Sequence, residues 1–77
     1  MQYMDKFDGV AFVRITSAYP AGALQKMQDA GISIFDVTAP DTFTIRFSAK
    51  RKDIRSITHI CDRRGDRIDI EGWTGYI

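Results

Sequence analysis

Apolar residues change their spacing along this chain, and each change marks a change of element. Over Val10–Thr16 the spacing is two: Ala11, Val13 and Ile15 fall on one side, and Val10, Phe12, Arg14 and Thr16 on the other. The first set is purely apolar and predicts the side that meets the helices. The second carries a charge and predicts an open side. After Pro20 the spacing becomes helical: Pro20, Ala23, Leu24 and Met27 form one stripe, with Gln25, Lys26, Gln28 and Asp29 opposite. A helix over residues 20–30 follows, with proline in its first turn, Ser17 or Tyr19 as candidate cap and Gly31 as its stop. Gly22 costs this helix about 1 kcal/mol relative to alanine, which predicts a close approach to the sheet.

Beyond Gly31 the residues turn β-branched and aromatic, predicting a strand over 32–37, interrupted only by Ser33 and Asp36. Residues 38–41, Thr-Ala-Pro-Asp, read as a turn. Residues 43–47 then alternate cleanly, with Phe43, Ile45 and Phe47 inward and Thr44, Arg46 and Ser48 outward, so the two strands form a hairpin. Ile54, Ile57, Ile60 and Cys61 return to helical spacing over 51–63, while Arg55, His59 and Asp62 point away. Gly65 is the second stop. Residues 67–71 give a last strand, Ile68 and Ile70 inward and Arg67, Asp69 and Glu71 outward. Residues 1–8 form a leader in which Tyr3, Met4 and Phe7 are expected to pack on an edge or fray. Residues 72–77 are the exit.

The order is βαββαβ. Right-handed crossovers then require an α+β, ferredoxin-like sandwich: a four-stranded antiparallel sheet in the order 4-1-3-2, with both helices on one face. The single domain spans residues 9–77 after the leader.

Composition narrows the function classes. At 77 residues the chain is one domain with a modest core. Eleven Lys and Arg stand against ten Asp and Glu, a net charge of +1, so no global field draws it to nucleic acid or anionic lipid. Cys61 is alone, which excludes an internal disulfide. With one cysteine and one histidine no metal site of ordinary spacing exists, and no cofactor is implied. His59 reads as a solvated helix residue, Cys61 as a small core residue, and Asp69 and Glu71 as partners of Arg14 and Arg67 rather than as a general acid pair. The sequence is therefore read as non-enzymatic; the glycine-rich loop of acylphosphatases, which share the fold, is absent after the first strand.

The basic run Lys50, Arg51 and Lys52 is interrupted by Asp53, and Asp62 and Asp66 stand among Arg55, Arg63 and Arg64. RNA-recognition modules of this fold stack bases on aromatics of the first and third strands. Phe12 is in place, but Phe43 and Phe47 have core parity, so no nucleic-acid partner is expected. The open face instead offers Phe12, Arg14, Phe35, Arg46 and Asp69, an aromatic patch among charges of the kind found at protein interfaces. A protein partner or self-association is expected, through this face or through the edge strand over 32–37.

Two resemblances add to this reading. The run Ser17-Ala18-Tyr19-Pro20-Ala21-Gly22-Ala23-Leu24 loosely resembles the ligand loop of ACT regulatory domains, and implies as an alternative a small-ligand site at Ser17, Tyr19 and Gly22. From Gly9 onward the chain resembles the N-terminal domain of the YqfD-type stage IV sporulation proteins. The residues that carry this are Val13-Arg14-Ile15-Thr16, Ala23-Leu24, the piece from Gly31 to Val37, the 43–47 strand, the basic helix with Ile54 and Ile57, and Gly75-Tyr76. That resemblance implies a non-catalytic segment of a membrane-anchored bacterial protein of spore formation, lying on the cytoplasmic side, followed by a membrane helix and a further domain, and in contact with another protein, itself or the membrane surface.

Overall fold

The computed structural model describes residues 9–74. In chain order the elements are β1 (Val10–Thr16), α1 (Pro20–Asp29), β2 (Ile34–Asp41), β3 (Thr44–Lys50), a 3-10 turn (Arg51–Asp53), α2 (Ile54–Arg64) and β4 (Arg67–Thr74). The strands form one antiparallel sheet in the order β2-β3-β1-β4, the expected ferredoxin-like arrangement. Residues 1–8 and 75–77, which include the leader and Gly75-Tyr76, lie outside the described residues. Among the described residues no helix is long and apolar enough to cross a membrane.

Both helices end in the same way. Gly31 and Gly65 adopt φ of 76° and 79°, a region costly for any residue with a Cβ. At the first joint the Gly31 N–H donates to Gln28 O (3.0 Å) and the Ile32 N–H to Met27 O (3.0 Å). At the second the Gly65 N–H donates to Asp62 O (3.2 Å) and the Asp66 N–H to Cys61 O (2.8 Å). This pattern satisfies helix-end carbonyls and reverses the chain onto the sheet. The first joint is buried among apolar residues, since Ile32 and Met27 both belong to the core. The second places Asp66 where Ile32 stands in the first.

The core lies between the helices and one face of the sheet. It comprises Ala11, Val13 and Ile15 of β1, Ala23 and Met27 of α1, Ile45, Phe47 and Ala49 of β3, Ile57 and Cys61 of α2, and Ile32. Leu24, Ile34, Ile54, Ile60, Ile68 and Ile70 pack around its margin. The parity assigned to β1 is therefore the one observed.

Several boundaries differ from the sequence reading, each for a physical reason. Residues 38–41 are not a turn: β2 continues through Pro40 to Asp41, which an edge strand permits because its outward N–H needs no ladder partner. The turn is Thr42-Phe43, tightened by Asp41 Oδ1 accepting from the Phe43 N–H at 2.9 Å. Phe43 is consequently in the loop and 56% exposed, not in the core. β2 starts two residues later than expected, because the N–H of residue 32 is still engaged by the helix end. The second helix begins with the 3-10 turn, and β4 runs on to Thr74. Gly22 does approach something closely, but not the sheet. A Cβ there would lie 2.8 Å from the Tyr19 ring and 2.9 Å from Arg64 Nη1.

Cys61, 1% exposed, has its thiol pushed up to about 11, first by burial and then by the Asp66 carboxylate, with Arg64 opposing. The unfolded thiol ionises near 9.0. Between these values the unfolded chain releases a proton that the folded chain keeps, so this contribution to stability is complete below pH 9 and is lost as pH rises toward 11. Urea unfolding at pH 8 and pH 10.5 is expected to show a fall in stability of about 2 kcal/mol attributable to the thiol. Cys61→Ala, offset at all pH by its cavity, is expected to lack that part of the slope.

Candidate functional site

The face of the sheet away from the helices is uncovered among the described residues, and its side chains form transverse rows fixed by register. In one row Phe35, Ser48, Phe12 and Gly72 stand side by side across β2, β3, β1 and β4. In the next, Thr38, Arg46, Arg14 and Asp69 do the same. All five residues of the expected interaction face, Phe12, Arg14, Phe35, Arg46 and Asp69, are thus brought together in two adjacent rows.

Small residues set the relief of this face. Phe12 and Phe35 are 39% and 40% exposed, while Ser48 between them is only 4% exposed. A serine on an open face is covered to that degree when its larger neighbours close over it. Gly72 gives the Phe12 ring a seat: a Cβ there would meet Phe12 Cδ2 at 3.4 Å. Beside this row lies a shallow hollow of about 280 Å³, lined by Phe12, Asp36, Thr38, Arg46, Ser48 and Glu71. Asp36 reaches its rim from a left-handed backbone, φ 56°, at a bulge where β2 slips against β3.

Arg14 and Arg46 are directly opposite each other on β1 and β3, a pairing that repels. Glu71 resolves it. The register shifts between Phe12 and Val13, leaving Glu71 as an extra residue on β4. From that bulge it reaches inward to both cations, with Arg46 Nε at 2.9 Å and Arg14 Nη1 at 3.6 Å. Asp69 takes Arg14 Nη2 and Arg67 Nε, each at 3.4 Å. The carboxylates are paired, as expected, but Arg46 rather than Arg67 is the main partner of Glu71. Exposed pairs of this kind are worth about 0–1 kcal/mol each, so they orient the guanidinium groups more than they stabilise the fold. The Glu71 bulge escaped the sequence reading; the glycine at 72, inside an otherwise alternating strand, was the available signal.

The alternative ligand loop is arranged differently. Ser17 is buried, and its Oγ accepts from the Tyr19 N–H at 3.0 Å and from Arg64 Nη2 at 3.5 Å. Arg64 Nη2 also donates to Tyr19 O at 2.9 Å, and Arg64 Nε to Asp66 Oδ2 at 2.7 Å. The guanidinium packs against Gly22 as well. Tyr19 is the helix cap residue by position, without a side-chain cap bond. Tyr19 lines a hollow of about 350 Å³ between α1 and the β2–β3 hairpin, and Ser17 lines a separate one of about 410 Å³ with Phe43, Gly65 and Arg67, so the loop residues do not converge on one hollow. His59 is exposed on α2, and among the described residues no group of His, Cys, Asp and Glu could hold a metal ion.

The Asp66 side chain is 6% exposed and Arg64 is its partner, so losing the arginine strands a buried carboxylate. Arg64→Met is expected to cost about 3 kcal/mol in urea unfolding. Arg64→Met combined with Asp66→Ala is expected to cost less than the single change, because no orphan charge remains.

Comparison with family models, with curated proteins and with solved structures found no match for this chain.

Proposed function

We propose that this domain is a non-catalytic protein-interaction module whose docking surface is the open sheet face. The observation that supports this best is the row Phe35–Ser48–Phe12, two part-exposed rings either side of a covered serine, beside a hollow edged by Arg46, Glu71 and Asp36. Aromatic and arginine side chains are the groups that concentrate binding energy at interfaces. Here the arginines are held in place by Glu71 and Asp69 before any partner arrives, which lowers the ordering cost of binding. The same ion pairs count against nucleic acid, since a phosphate would have to displace carboxylates already engaged. An extended peptide segment that places an apolar side chain against Phe12 and a charged one at the hollow fits this relief.

The resemblance to the sporulation proteins belongs to the same proposal: a domain on the cytoplasmic side of a membrane-anchored bacterial protein. It rests on the sequence pattern quoted above.

Panning a random peptide library on the domain is expected to return mutually competing peptides. Their affinity should fall at least about tenfold in Phe12→Ala and in Arg46→Glu, and stay unchanged in Tyr19→Ala. Peptides indifferent to Phe12 and Arg46 but sensitive to Tyr19 would move the site to the Ser17–Gly22 loop. The membrane placement is checked by the reading frame beyond Ile77. An apolar run of about 20 residues there supports it, and a stop codon removes it.

A further inference from the structure

The sheet has two edges, and they are built differently. β2 defends itself: its register against β3 slips twice, between Phe35 and Thr38 and between Thr38 and Asp41. Asp36 is left-handed within the first slip, and Pro40 removes an N–H within the second. Bulges, left-handed residues and proline are the devices that stop an edge from recruiting another strand. The expected self-association through residues 32–37 therefore has a poor template.

β4 is the contrast. From Arg67 to Ile70 it runs in unbroken register with β1, without proline or glycine, and among the described residues no strand pairs with its outer side. Its charges alternate with the pleat: Arg67 and Asp69 lie on the open-face side, Ile68 and Ile70 on the core side. An antiparallel pair related by a two-fold axis must centre on one residue, and charge selects which. Centred on Ile70, the pairing sets Asp69 against the second copy's Glu71 twice over. Centred on Asp69, it faces that carboxylate with itself. Centred on Ile68, it sets each Arg67 against an Asp69 and the two Ile68 side chains against each other, with no like-charge contact. Opposite charges across an antiparallel pair are favourable and like charges are not.

We propose that two copies of this chain associate through the outer edges of β4, antiparallel and centred on Ile68, to give one continuous eight-stranded sheet. The Arg67–Asp69 pair within each chain, at 3.4 Å, then becomes one side of a four-charge square. The regular segment is short, so the association is weak. This inference rests on the backbone edge of β4; it shares Asp69 with the open face but does not depend on the function proposed above.

Sedimentation velocity at concentrations up to about 1 mM is expected to show a monomer–dimer equilibrium. Arg67→Asp is expected to weaken it at least tenfold, and the charge swap Arg67→Asp with Asp69→Arg to restore it; far-UV circular dichroism checks that each variant folds. Phe12→Ala is expected to leave it unchanged. Concentration-dependent amide shifts in the unmodified protein provide a second measurement, expected at residues 66–70. A monomer at every concentration, or shifts confined to β2 or to the Phe12–Arg46 surface, overturns the proposal.

Discussion

Everything in this fold follows from how each helix is turned back onto the sheet. A helix leaves its last carbonyls unsatisfied, and a following strand must start at once if a chain this short is to close a core. Gly31 and Gly65 solve both problems with one left-handed residue each. The core residues of α1 and α2 lie against one side of the sheet, as right-handed crossovers require, so one face only is buried. The open face is thus a consequence of the crossover hand. The joints differ in what seals them. Ile32, after the first, joins Met27 in the core, whereas Asp66 in the second is held by Arg64, which also ties down the loop before α1. A polar seal costs desolvation and returns specificity of position: the arginine links the end of α2 to the start of α1 across the fold.

The parts legible in the sequence are those governed by local rules. Strand parity in β1, the helix stripes and the two glycine stops depend on residues within a few positions of one another, and they are observed. What escaped depends on where an element sits in the sheet. Pro40 reads as a turn residue until β2 is known to be an edge, where a missing N–H is harmless. Phe43 has perfect alternation with Ile45 and Phe47, yet the two-residue turn claims it. Ser48 has outward parity and is nonetheless covered, because its neighbours across both strands are phenylalanines. None of these facts can be read without the register.

The candidate face illustrates the same limit. Its five residues were identifiable one by one from parity, but not the residue that organises them. Glu71 acts through a bulge, an insertion defined only relative to β1. Without it, Arg14 and Arg46 would repel across the central pair. With it, five side chains, Arg14, Arg46, Arg67, Asp69 and Glu71, form a connected set whose energetic value is small and whose geometric value is large.

The size of the face constrains what can dock there. Four strands about 4.8 Å apart, each with seven residues rising about 3.4 Å, give a footprint of about 450 Å², roughly half of what one partner contributes to a standard protein–protein interface. A folded partner matching that footprint alone would bind weakly. A peptide segment loses less freedom than its length suggests when it is extended along rows already spaced for a strand's alternate side chains, and it can draw most of its affinity from a single anchor. The hollow beside Phe12 has walls of aromatic, cationic and anionic character together. The dimensions of the sheet and the position of that hollow thus both suit the peptide partner proposed for this face.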